Sequence, residues 1–147
     1  MKLRINRFLF FILFAGILYS CSKSGTTPFD PGGGNPGGFN PTDTIAPQIT
    51  INTPAASQNF NNGNTISITG KVTDDYGLYR GSIKVVNDAN GMVLQNQLYE
   101  IHGFLLYNFS LNHLATTSVV ADYTITVSFE DHGNNSSSRS VKIKVNP

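Results

Sequence analysis

The chain has no tryptophan, one cysteine, two methionines and three histidines in 147 residues, and only 13% of it is charged. A single cysteine excludes internal disulfides and thiolate metal clusters. His102, His113 and His132 are too far apart in sequence to form a metal or catalytic motif, and no serine sits in a nucleophile elbow. There is no basic stripe to neutralise phosphates, so nucleic acid is not an expected partner. Three of the ten basic residues, Lys2, Arg4 and Arg7, precede the first apolar run, leaving seven basic against nine acidic residues downstream. What fills the chain instead is Gly, Asn, Ser and Thr between short β-branched and aromatic segments, the makeup of an all-β secreted domain.

The longest apolar run, residues 8–18, is too short to cross a bilayer, which takes about 20 apolar residues. Behind a cationic start and before small residues it reads as a secretory signal over 1–20. Cys21 follows Leu18-Tyr19-Ser20, which resembles the lipobox of bacterial lipoproteins, although Tyr19 stands where a small or branched residue is usual. The resemblance implies cleavage before Cys21 and a diacylglycerol, with a further acyl chain such as palmitate, at that residue. The expected location is the cell envelope, on the outer membrane, with the membrane a partner through this lipid. Each buried methylene adds about 0.8 kcal/mol to such anchoring.

Residues 21–44 are the lipidated cysteine and a Gly- and Pro-rich tether, whose few apolar side chains cannot offset the entropy of ordering it. Its expected reach is roughly 25–30 Å. Its glycines lack the flanking strand, helix and spaced lysine of a phosphate loop.

The remaining residues, 45–147, read as one domain of short strands. Residues 121–135, ADYTITVSFEDHGNN, alternate most cleanly, with Tyr123, Ile125, Val127 and Phe129 on one face and Thr124, Thr126, Ser128 and Glu130 on the other. Other strands are expected over 47–54, over 65–73 with Ile66, Ile68 and Val72 inward, after Gly81 with Ile83 and Val85 inward, and over 92–99 at a sheet edge. Two more are expected over 104–112 with Tyr107, Phe109 and Leu111 inward and over 140–145 with Val141, Ile143 and Val145 inward. Residues 55–64 read as a polar loop turning at Asn62-Gly63, and 113–120 as a connection with room for one helical turn. Gly70 marks a bulge or a close backbone approach. Seven or so antiparallel strands at this spacing favour an immunoglobulin-like β-sandwich, with Tyr123 placed to bond backbone in the corner before it.

The segments 43–47 (DTIAP), 70–78 (GKVTDDYGL), 122–123 and 130–135 (EDHGNN) resemble bacterial immunoglobulin-like modules across 43–147. With its leader, tether and single domain the chain is most similar to Bacteroidota lipoproteins carrying domain of unknown function 4625, although the histidines usual in their middle strands are reduced here to His102 and His113. That resemblance implies a fold and a location and no established activity.

The local acid–base pair Glu100 and His102, expected on one strand face at i and i+2, reads as a surface hydrogen bond, and enzymatic activity is not expected. Tyr76 and Tyr79, beside the turn at 74–77, are candidate members of a ligand platform for glycans, although the lack of tryptophan counts against it. Asp43, Asp74, Asp75 and Asp131 fall in loops that this topology brings to one end, where oxygen-rich sites suit calcium. The competing explanation is turn chemistry, each carboxylate bonding nearby backbone N–H groups. The functional expectation is a lipid-anchored envelope module for recognition or assembly, with an envelope protein or glycan as partner. An inert structural spacer is the alternative, and a glycan-binding or hydrolytic accessory protein a more distant one.

Overall fold

The segment with the cleanest alternation becomes the middle of the larger sheet. In the computed structural model, which describes residues 41–147, the strands are β1 (Gln48–Thr53), β2 (Asn59–Asn61), β3 (Thr65–Thr73), β4 (Leu78–Asn87), β5 (Val93–Glu100), β6 (Leu106–Leu114), β7 (Ala121–Asp131) and β8 (Ser136–Asn146). The expected leader, Cys21 and the tether as far as residue 40 lie outside the described residues. One sheet has the order β1-β3-β6 and the other β2-β8-β7-β4-β5. All pairings are antiparallel except that of β2 with β8. This is an immunoglobulin-like β-sandwich, with eight strands where about seven were expected. β7 lies between β8 and β4, and its residues Tyr123, Ile125, Val127 and Phe129 are buried.

Three local readings are corrected. The polar loop 55–64 contains β2, too short to show a period, which forms because the outer edge of β8 takes it as a partner. Asn59 pairs with Lys144 and Phe60 with Val145, and Ser57 N–H donates to the Lys142 carbonyl at 2.8 Å. The connection 113–120 holds no helical turn: His113 and Leu114 continue β6, and Ala115 is bonded through both N–H and C=O to the turn at Asn64 and Gly63. Gly81 does not precede its strand but lies inside β4, which begins at Leu78.

Gly81 stays in a strand because its neighbour covers it. It pairs with Phe129 on β7, and a Cβ there would strike the Phe129 ring. Gly70 repeats the device in the other sheet, pairing with Phe109 on β6, where a Cβ would meet both the Phe109 ring and the Thr50 carbonyl oxygen. The close approach expected at Gly70 is therefore present. Each glycine lets a phenylalanine lie across its neighbouring strand, and the two rings then stack between the sheets at 5.9 Å and 29°. Such offset aromatic packing adds about 0.5–1.5 kcal/mol beyond area burial. Ile66, Ile68, Val72, Ile83, Val85, Ile143 and Val145 complete the core.

At the far end Tyr123 is fully buried and its hydroxyl donates to the Thr116 carbonyl at 2.8 Å, seven residues upstream, as expected for a tyrosine corner. The bond ties the start of β7 to the irregular segment that carries the chain between sheets. Replacing Tyr123 by Phe leaves that carbonyl without its donor, and we expect a loss of about 1 kcal/mol in denaturant melts, with zero change ruling out a contribution from the hydroxyl.

Candidate functional site at one end of the sandwich

Four connections meet at one end: the approach to β1, the turn 74–77 between β3 and β4, the connection 101–105 between β5 and β6, and the turn 132–135 between β7 and β8. Hydrogen bonds to backbone carbonyls lace them together. His132 N–H donates to the Gly77 carbonyl at 3.1 Å, Gly103 N–H to Leu78 at 2.8 Å, and Asn135 Nδ2 to the Asp43 carbonyl at 3.1 Å. The last bond fastens the backbone at Asp43 to the turn 132–135.

Asp43, Asp74 and Asp75 each bring a carboxylate oxygen to within 4.8 Å of the others. Two of these carboxylates are divided in role. Asp74 accepts from Gly77 N–H at 2.7 Å and Tyr76 N–H at 3.2 Å through Oδ2, while its Oδ1 is buried with no hydrogen-bond partner among the described residues. Asp43 accepts from Ile45 N–H at 3.0 Å through Oδ1 and leaves Oδ2 buried, likewise unpartnered among the described residues. Burial raises the pKa of Asp74, with smaller contributions from the charges of Asp131 and Asp43; the Gly77 and Tyr76 amides oppose it.

Asp131, expected to join this group, is outside it. It is fully buried, and its Oδ1 accepts from Gly133 N–H at 2.7 Å and Asn135 N–H at 2.9 Å while its Oδ2 accepts from Asn135 Nδ2 at 2.9 Å. Its oxygens hold the turn at Asn134, whose φ is 66°. These are the bonds of turn chemistry.

The two tyrosines have separate surroundings. Tyr76 borders a shallow recess with Asp43, Ile45 and Asp75, whereas Tyr79 lies between histidines, 4.8 Å from the ring of His102 and 4.8 Å from that of His132. The histidine rings are 5.3 Å apart, and Arg80 reaches over Tyr79 with its Cζ 5.0 Å from the ring centroid. Among the described residues no ring contact joins Tyr76 to Tyr79, so they do not make one platform. This cluster gathers residues from three elements and has no signature in the sequence, where its histidines are 30 positions apart. His132 is buried with its Nε2 unpartnered, and burial, with the nearby His102, lowers its pKa against the opposing pull of Asp131.

The pair Glu100 and His102 approaches to 3.4 Å with both side chains mostly in solvent, at 67% and 51% exposure. Glu100 ends β5 and His102 falls in the following turn, so the two do not share a strand face. His113 is at a distance, in the core side of β6, with Nδ1 2.7 Å from Gln95 Oε1. Tyr99 packs inward against Tyr107 at 5.9 Å, whereas Phe104, Leu105 and Leu106 remain exposed.

No family model and no curated protein matches the chain. Among solved structures it is similar to the CARDB domain of a Pyrococcus furiosus protein, determined in complex with di-metal ions, at 14% identity and a TM-score of 0.41, over 81% of this chain and 99% of that one. At that TM-score the likeness carries no argument about a site.

The raised pKa of Asp74 has a signed consequence. A carboxyl whose folded pKa exceeds its unfolded value stabilises the fold below about pH 3.8, and that contribution is lost as pH rises through the folded pKa. Asp74→Asn keeps an oxygen for Tyr76 and Gly77 and removes one of three crowded charges. In chelated buffer we expect it to melt no lower than the parent at pH 7 and to lose this segment of the pH profile, as followed by thermal melts from pH 3 to 7. A lower melting temperature at pH 7 means the charge itself supports the fold.

Proposed function

We propose that this chain is a non-catalytic, lipid-anchored immunoglobulin-like module of a bacterial cell envelope that recognises an envelope protein through the end of the sandwich bearing Tyr79. The observation that carries the reading is the ring cluster of Tyr79, His102 and His132 with Arg80 laid over it. Tyrosine and arginine are enriched among residues that dominate binding energy, and a site on strand ends and tight turns is held in place before a partner arrives. The leader and Cys21 support the membrane location, the tether allowing the module to stand away from the bilayer.

The reading is tested in native membranes. A photo-crosslinking residue at His102 should yield an adduct of defined mass, and the same residue at Lys84, on the outer face of the larger sheet, should not. An inert spacer yields none at either position. Cys21→Ser should move the protein from the membrane to the soluble fraction, and retention after carbonate washing would count against the anchor.

A structural calcium ion at the Asp43, Asp74 and Asp75 carboxylates is a second part of the proposal. It is favoured by the two buried oxygens, Asp43 Oδ2 and Asp74 Oδ1, that accept no hydrogen bond from the described residues. Loop carbonyls and water would complete the six to eight oxygens calcium takes. The melting temperature should then rise with the logarithm of calcium concentration, and Asp74→Asn should abolish the rise. Identical melts in millimolar calcium and in chelator would leave turn chemistry as the whole explanation.

A further inference from the structure

Among the described residues, the four strands at sheet edges are not equally protected. β2 is three residues long, β1 is short with a register shift near Thr53 and a proline directly after it, and the β4–β5 ladder is shifted at Val85 and Val86. β6 is different. It pairs with β3 over nine residues without a shift, and its sequence LYNFSLNHL has no Lys, Arg, Asp, Glu or Pro to discourage a further strand. Its inner side is closed by the Gln95 to His113 contact and the Tyr99 to Tyr107 ring pair. The edge therefore presents backbone and its outer row of side chains.

That outer row is Leu106, Asn108, Ser110, Asn112 and Leu114, all exposed. Read in either direction it is Leu, Asn, Ser, Asn, Leu. The backbone has the same phase. Ala115 exchanges its N–H and C=O with the turn preceding β3, and the Leu105 carbonyl accepts from Asp74 N–H, so odd-numbered residues are bonded toward β3. In an antiparallel ladder the alternate residues point the other way, so the N–H and C=O groups of these same five residues face the open edge.

We propose that the free edge of β6 pairs antiparallel with the β6 of a second copy, about a two-fold axis at Ser110. In this register Ser110 faces Ser110, Asn108 faces Asn112, and Leu106 faces Leu114 of the other copy. About ten backbone hydrogen bonds form with all five pairs of the bonded type. The strip complements itself in charge and polarity: no formal charge meets its like, each amide meets an amide able to donate and accept, and each exposed leucine is covered by another. The two three-stranded sheets become one sheet of six. This surface is separate from the end that bears Tyr79, and the pairing holds or fails independently of what that end binds.

Disulfide trapping in native membranes, on the full chain, tests both contact and register. Paired residues of the bonded type have Cα atoms about 5.5 Å apart, within the span of a disulfide. Ser110→Cys should give a crosslinked dimer under mild oxidation, and so should Asn108→Cys combined with Asn112→Cys. Asn108→Cys alone should not, and the parent, whose sole cysteine is Cys21, is the blank. In detergent, sedimentation equilibrium should give a dimer for the parent and a monomer for Ser110→Lys, with dimer restored on mixing Ser110→Lys with Ser110→Glu. A monomeric parent overturns the proposal. So does a dimer indifferent to Ser110→Lys, or equal trapping by the Ser110→Cys and Asn108→Cys single variants.

Discussion

The two sheets meet across a group of aromatic contacts centred on the stack of Phe109 on Phe129. The stack exists because each ring's cross-strand neighbour has no side chain, Gly70 in one sheet and Gly81 in the other. Any larger residue at either place would push a ring out of the plane in which it meets the other. Tyr99 and Tyr107 fill in around the pair, 6.2 and 6.4 Å from Phe129, and so bring the β5 and β6 sides of the sandwich together. The alignment of these edges, and with it the closed inner side of the β6 strip, follows from the same packing.

The opposite logic governs the end with the acidic group. There the turns are tightened by carboxylates that accept backbone N–H groups, which gives local order at the cost of gathering negative charge. Asp131 is satisfied on both oxygens, and Asp74 and Asp43 on one each. The result is a rigid turn beside a partly frustrated one, with the ring cluster of Tyr79, His102 and His132 adjoining both. Loops on a stiff sandwich are the usual place for such unresolved polarity, because the strands below tolerate the strain.

Most strands and their inward faces were legible because alternation is a local property. The inward sets of β3, β4 and β7 can be read directly from residues such as Ile66, Ile68, Ile83, Val85 and Ile125. The turn at Asn62-Gly63 and the corner at Tyr123 were legible for the same reason, since each rests on residues close in sequence. β2 was not, because three residues carry no period and the strand is induced by β8. The full extent of β4 is not legible in the sequence, because Gly81 has weak strand preference alone and is held there by a ring 48 residues away.

For the candidate site, topology alone predicted that Asp43, Asp74 and Asp75 would meet, and they do. It also included Asp131, whose bonds from Gly133 and Asn135 are the local turn chemistry that the sequence offered as the competing explanation. The meeting of His102 with His132 left no trace in the sequence. By itself, then, the sequence determined the all-β class, the buried faces and the tight turns. Only the tertiary structure decided which sheet edges stay open, which carboxylate oxygens go unpaired and which rings touch. The physical reason is that side-chain alternation and turn preference are set within a few residues, whereas these contacts depend on strand order and register between segments tens of residues apart.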